Sequence, residues 1–301
     1  LKKKLIVIVG PTAAGKTDLS IQIAKHFSAE IISADSRQFY TEMNVGTAKP
    51  SVRQLKEVRH HFINSLTIVQ DYNAGKFESD CNKLLEELFM KHDIALMVGG
   101  AGLYINAVLA GVDELPEADQ KIRKSLKQKL ETEGIEFLQQ QLLQLDPEYF
   151  HKMDKQNPQR LMRAIEVCLA SGKKYSSLLG KKSKEKNFDA VLIGLWDDKE
   201  NLYERINKRV DEMIANGLPE EVKTLLPFKN YNALQTVGYK ELIQYAEEKI
   251  SLKEATDLIK KNTRNYAKRQ MTWFRKMKEI IWFKTGEDEN VLRYLMREVK
   301  D

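Results

Sequence analysis

Five consecutive apolar residues, Leu5-Ile-Val-Ile-Val9, run without a break into Gly10-Pro11-Thr12-Ala13-Ala14-Gly15-Lys16-Thr17. No other segment restricts the possible folds as strongly. An unbroken apolar run of this length is what a parallel strand buried on both faces looks like. A glycine-bounded turn ending in Lys-Thr then matches G-x-x-x-x-G-K-[ST]. The glycines let the backbone curl with its N–H groups pointing inward, and the helix expected over Gly15–Phe27 adds the partial positive charge of its N-terminus. Lys16 neutralises terminal phosphate oxygens, and Thr17 is the residue type that ligates Mg²⁺ in such loops. A diphosphate or triphosphate site is therefore expected at Gly10–Thr17.

The rest of the first third alternates strand and helix. Glu30–Asp35 reads as a strand ending in a carboxylate, His61–Leu66 as a further strand, Ala74–Met90 as a helix, and Ile94–Val98 as another buried strand. Gly99-Gly100 and a helix to about Ala110 follow. Strands separated by helices predict an α/β protein with a doubly wound parallel sheet. After Leu115-Pro116 strand patterns cease, and Ala190–Leu195 restores one. Residues 116–187 are thus expected to form a helical insertion, with 1–115 and 188–301 making up the core. A short strand is expected at Ile280–Phe283.

Several classes are disfavoured by composition. Two cysteines, Cys81 and Cys168, supply neither a disulfide framework nor a cysteine zinc site. No apolar run approaches the roughly 20 residues needed to span a bilayer, so a cytoplasmic location is expected. The formal net charge of +6 favours phosphate-rich partners without proving any.

An ordinary ATPase places an acidic residue after a second apolar strand to hold Mg²⁺. Ile94–Val98 ends in Gly99-Gly100-Ala101 instead, which leaves Asp35, followed by Ser36, as the well-placed carboxylate. Position alone leaves it as a magnesium ligand, a general base or a cap for a following helix. Arg205 and Arg209, four apart, share one helix face; arginine clamps phosphate in a fork that lysine does not reproduce. Arg160 and Arg163 lie near the start of a helix opened by Pro158. A helix expected over Leu258–Lys278 carries no acidic residue between Asp257 and Glu279. Its Lys261, Arg264, Lys268 and Arg275 fall in one stripe, with Ile259, Tyr266, Trp273 and Met277 roughly opposite as a core face. That stripe is either a solvated face or a contact surface for nucleic acid or polyphosphate.

Taken together, these segments resemble the tRNA dimethylallyltransferase (isopentenyltransferase) family along nearly the whole chain. The residues that carry the resemblance are Gly10–Thr17, Asp35-Ser36 with Tyr40, Gly46-Thr-Ala-Lys-Pro50, His60-His61, and Val98-Gly-Gly100 with Leu103-Tyr104. They continue with Asn157–Arg163, Arg209 with Met213, Gly217-Leu218, Val237-Gly-Tyr239 and Ala267–Trp273. One departure is Ala101, where the family commonly has threonine. With only two cysteines, the zinc-finger extension of eukaryotic relatives is not expected.

The resemblance implies transfer of a dimethylallyl group from dimethylallyl diphosphate to N6 of adenine 37 in tRNA. The P-loop would hold a leaving diphosphate, with Mg²⁺ as cofactor partly ligated by Thr17 and no ATP turnover. Catalysis would fall to Asp35 as base, with Thr17 and Arg209. The implied tRNA contacts are Asp35, Ser36, Arg37, Gln38, Ala101, Arg123, Gln159, Arg160, Leu161, Met162 and Arg163, with Arg264 and Lys268 from the basic stripe. Nothing in the sequence demands a dimer, so a monomer is expected. The alternatives are a small-metabolite P-loop kinase, with Asp35 activating a hydroxyl and Arg205 and Arg209 as lid arginines, or an RNA-binding module whose P-loop is a vestige.

Overall fold

A computed structural model describes residues 3–113, 115–117, 119–180 and 186–299. Chain contacts divide it into two compact units, residues 1–109 with 185–301, and residues 110–184.

The first unit is built on a six-stranded sheet. Its strands are β1 (Lys4–Val9), β2 (Ile31–Ser33), β3 (His60–His61), β4 (Ile94–Val98), β5 (Asp189–Trp196) and β6 (Ile281–Lys284), in the order β3-β2-β4-β1-β5-β6. Every neighbouring pair is parallel. Because successive side chains point to opposite faces, β1 feeds two cores. Leu5, Val7 and Val9 pack on one face with Phe39, Phe77, Met97 and Phe274. Ile6 and Ile8 pack on the other with Leu19, Ile23, Leu96 and Leu295. Helix α1 (Lys16–Phe27) follows β1 directly. From β1 the sheet grows toward β4, β2 and β3 on one side and toward β5 and β6 on the other. The loop after β1 therefore sits at a topological switch point, where open α/β sheets bind ligands.

Helices α2 (Val52–Glu57), α3 (Ala74–Lys91) and α4 (Gly102–Ala110) connect the early strands. In the second unit, α5 (Gln120–Glu133), α6 (Ile135–Leu145), α7 (Pro147–Lys152), α8 (Pro158–Ser171) and α9 (Tyr175–Leu178) surround a core of their own. The chain then returns to the first unit. After β5 come α10 (Lys199–Ala215), α11 (Leu218–Leu225), α12 (Tyr239–Ala246) and α13 (Leu252–Phe274), and after β6 comes α14 (Asp288–Glu298). Among the described residues no helix is long and apolar enough to cross a membrane.

Two sequence expectations need correction. The strand expected at His61–Leu66 is only the two residues of β3 and an isolated bridge between Tyr40 and Leu66. Phe62 (φ 59°) and Asn64 (φ 53°) adopt left-handed backbone, which ends pairing whatever the apolar pattern suggests. The basic helix begins at Leu252, capped by a box formed by its own Ser251 and Glu254, and stops at Phe274, so Lys276 and Lys278 lie beyond it. Its buried face is Ala255, Ile259, Ala267, Gln270 and Phe274; Tyr266 and Trp273 remain 37% and 36% exposed.

Candidate active site

The phosphate loop is held by its own Lys16 and by two arginines of α10. Lys16 Nζ donates to the carbonyls of Gly10 (3.0 Å) and Pro11 (2.7 Å), so its ammonium is folded back over the loop. Burial, and then the neighbouring Arg209 guanidinium, push its pKa down to about 8, while Asp35 acts in the opposite direction. Ala13 holds φ 64°, a conformation costly for a residue with a Cβ. It is pinned there by Arg205 Nε, which donates to the Ala13 carbonyl at 2.9 Å. Arg205 is itself fixed by Asp197, NH1 to Oδ2, at 2.6 Å. Four residues on along α10, Arg209 donates to Thr12 Oγ1 at 3.4 Å.

Around this loop opens a cavity of about 660 Å³, lined among others by Lys16, Thr17, Asp35, Gln38, Lys49 and Arg209. A second, smaller cavity of about 230 Å³ carries an apolar wall of Ile206, Val210, Met213, Val237 and Ile259. Thr12, Asp35, Arg209 and Tyr266 line both. Although Tyr266 as a whole is 37% exposed, desolvation of its phenol pushes the pKa up to about 12.

Asp35 stands two residues beyond β2, and its Oδ1 accepts from the Arg37 amide at 2.9 Å. It caps a turn, not a helix. One carboxylate oxygen is committed to that turn while the residue faces both cavities. Gln38 is held internally, accepting from Ser33 Oγ and donating to the carbonyls of Thr47 and Ala48. Arg37 donates to the Asn232 carbonyl at 3.0 Å. Ser36 lines the smaller cavity. The segment Ala48–Pro50 lines the larger one and is held by Lys49, whose ammonium donates to the Tyr40 carbonyl, Asn44 Oδ1 and Asn64 Oδ1. Burial pushes Lys49 down to about 8 as well. Just upstream, the amides of Asn44 and Val45 donate to Glu221 Oε2 and that of Gly46 to Oε1, which also accepts from the Tyr239 hydroxyl at 2.6 Å.

Magnesium finds a partial fit. Thr17 lines the cavity, and its hydroxyl carries no hydrogen bond among the described residues, whereas Asp18 is engaged by Gln54. Among the described residues no group of three or more His, Cys, Asp or Glu is placed to hold an ion. A cation here would be held by Thr17 and by oxygens of the bound ligand.

In the helical unit, Gln159 and Arg160 are exposed at the start of α8, where Asn157 caps the Arg160 amide. Leu161 and Met162, expected among the tRNA contacts, are each 0% exposed, which corrects that expectation for their side chains. Helical spacing turns them inward while Gln159 and Arg160 face out. Arg123 and Arg163 pair with the buried Glu166, at 2.7 Å and 3.6 Å, and Arg163 also donates to the Pro116 carbonyl. In the first unit, Ala101 donates its amide to the Ala34 carbonyl at 3.3 Å. Along α13, Lys261 and Lys268 are exposed, Lys260 pairs with Asp211 of α10, and Arg264 donates to Asn207 Oδ1 at 2.6 Å. The acids missing from the helix itself are thus partly supplied by a neighbour.

The sequence placed Tyr266 only on a core face of its helix and gave Gln270 no role of its own. The only signal was their place beside or within the Ala267–Trp273 motif.

A parallel sheet with a phosphate loop at its switch point, two arginines on one following helix and a carboxylate at the junction of two cavities defines a P-loop enzyme of the α/β class. Comparison with known proteins narrows this. A family model described as IPP transferase matches residues 38–277, and the chain belongs to that family. Its relatives include the tRNA dimethylallyltransferase of Christiangramia forsetii, 53% identical over 97% of each chain. Another is tRNA dimethylallyltransferase 1 of Bacteroides fragilis, 42% identical over 99% of each. Among solved structures, the tRNA isopentenylpyrophosphate transferase of Bacillus halodurans superposes with a TM-score of 0.74 at 33% identity, covering 99% of this chain and 97% of the other. A eukaryotic dimethylallyltransferase acting on tRNA gives 0.77 at 27% identity, covering 94% and 74%.

Proposed function

We propose that this protein is a tRNA dimethylallyltransferase, moving a dimethylallyl group from its diphosphate to N6 of adenine 37 next to the tRNA anticodon. The observation that carries the reading is the junction of the two cavities at Thr12, Asp35, Arg209 and Tyr266. The phosphate loop receives the diphosphate, the apolar wall from Ile206 to Ile259 suits a branched five-carbon chain, and the acceptor amine meets the donor carbon beside Asp35.

The residues present suit that chemistry. The N6 lone pair is delocalised into the purine ring, so Asp35 helps by accepting a hydrogen bond from N6–H and then the proton as the C–N bond forms. As the allylic C–O bond breaks, its electron pair leaves with the diphosphate. Loop amides, Lys16 and Arg209 stabilise that growing charge in place, without having to reorganise. Thr17 would help hold a Mg²⁺ ion, whose charge would further neutralise the leaving diphosphate. Adenine 37 must leave its stack to reach this site, so the base is flipped. Gln159 and Arg160, with Arg123 and Arg163 held by Glu166, contribute contacts to the anticodon stem-loop, and Lys261 and Lys268 to its backbone. The protein acts as a cytoplasmic monomer.

The test is incubation with labelled dimethylallyl diphosphate and unmodified tRNA, followed by nucleoside analysis. Label in N6-isopentenyladenosine is expected. Consumption of ATP with a small acceptor and no labelled nucleoside would establish the kinase reading instead. Asp35→Ala is expected to lower kcat about 10²- to 10⁴-fold, the usual contribution of a general base, with tRNA affinity retained. Unchanged turnover would remove Asp35 from the mechanism.

A further inference from the structure

Gln270 is 6% exposed, near the C-terminal end of α13, yet both ends of its amide are committed to other elements. Oε1 accepts from the Thr12 amide of the phosphate loop at 2.9 Å. Nε2 donates to the Gly100 carbonyl beyond β4 at 3.0 Å. The contact is close: a Cβ on Gly100 would stand 2.1 Å from Nε2. From Gly100 the path continues without a gap. The neighbouring Gly99 lies so near Ala34 that a Cβ there would stand 2.2 Å from the Ala34 carbonyl oxygen. The Ala34 amide donates to the Val98 carbonyl at 2.7 Å, and the Ala34 carbonyl accepts from Ala101 at 3.3 Å. The next residue is Asp35.

We infer that Gln270 is a positioning residue that sets the register between the diphosphate loop and the segment bearing Asp35. The inference rests on the proposed role of Asp35 as base. The Thr12 amide is turned toward Gln270, so the amides that cradle diphosphate are those of the residues after it. The carboxamide is suited to this place because it is neutral and offers an acceptor and a donor on one rigid planar group. Glutamate would keep the acceptor and lose the donor. Methionine would fill similar volume and lose both. Gln270 borders the larger cavity, but both ends of its amide are spent on Thr12 and Gly100, so the effect of either substitution belongs in the alignment of donor carbon, amine and base, where a displacement of about 1 Å can cost 10²-fold.

The experiment compares wild type, Gln270→Met, Asp35→Ala and the double variant, by single-turnover prenyl transfer to tRNA. Inorganic pyrophosphate affinity and thermal unfolding are measured alongside. Expected results are a 10- to 100-fold loss of single-turnover rate in Gln270→Met and pyrophosphate affinity within about threefold of wild type. In the Asp35→Ala background the Gln270 effect should shrink to less than about threefold, because coupled residues are not additive. Should Gln270→Met fail to fold, Gln270→Glu replaces it in the same cycle. Full additivity in the cycle, or parallel loss of rate and pyrophosphate affinity, overturns the inference. If Asp35→Ala alone leaves turnover unchanged, the base reading has failed and this inference goes with it. If Asp35→Ala is impaired while the cycle is additive, only the role of Gln270 fails.

Discussion

The charge state of Lys16 offers a direct test of the site's electrostatics. Its ammonium is enclosed by the loop it serves and sits beside Arg209, which together bring its pKa to about 8. A lysine with that value is about 90% charged at pH 7 and about 10% charged at pH 9. Only the charged form offsets the diphosphate. kcat/KM for dimethylallyl diphosphate, which reports the free enzyme, is therefore expected to break near pH 8 and fall about tenfold per pH unit above it. Once diphosphate is bound, its negative charge favours the ammonium, so the break in kcat belongs at higher pH. Stability moves the other way. Between about 8 and the ordinary lysine value of 10.5 the unfolded chain holds this proton and the folded chain does not, so this group makes the fold more stable as pH rises through that window. Lost activity above pH 8 is thus separable from unfolding. The assay is initial rate against pH at subsaturating donor, with thermal unfolding at each pH and with Lys16→Met alongside. Lys49, also near 8, is the internal competitor. A flat wild-type profile through pH 9.5, or a break that survives in Lys16→Met, refutes the assignment.

Two further outcomes follow from the pairing of the basic residues. Arg205→Ala leaves the left-handed Ala13 without its clamp and the buried Asp197 without its guanidinium. A loss of about 1–3 kcal/mol is expected in denaturant unfolding, together with a raised KM for the donor. Burial disfavours ionisation of Asp197, but Arg205 and its other hydrogen bonds hold its carboxyl below the usual range. The deficit should therefore narrow as the pH falls below the ordinary carboxylate range and through the depressed folded-state value, where that carboxylate protonates. Lys268→Ala, at an exposed position, is expected to reduce the slope of log tRNA affinity against log salt by about 0.7–0.9, the value for one phosphate contact. An unaltered slope returns that lysine to a solvated face.

What the sequence settled by itself was whatever depends on neighbours along the chain. Leu5–Val9 followed by Gly10–Thr17 fixes a buried strand, a phosphate loop and a helix start, because apolar run, glycine turn and Lys-Thr lie within one stretch of backbone. The alternation through Val98 gave the parallel sheet, and the loss of strand pattern after Pro116 gave a helical segment, although contacts divide the units at residues 109/110 and 184/185. Folding alone decided the rest, because it turned on groups distant in sequence. Left-handed backbone at Phe62 and Asn64, in a segment tied down by Lys49, cut short a strand that the apolar pattern favoured. Arg264 found Asn207 and Lys260 found Asp211 across a helix pair, altering a stripe that looked uncompensated along its own helix. Packing turned Leu161 and Met162 into a core between arginines. Gln270, one polar residue in a helix, acquired its place only when folding brought Thr12 and Gly100 to the two ends of its amide, and no local pattern encodes a distance between two loops.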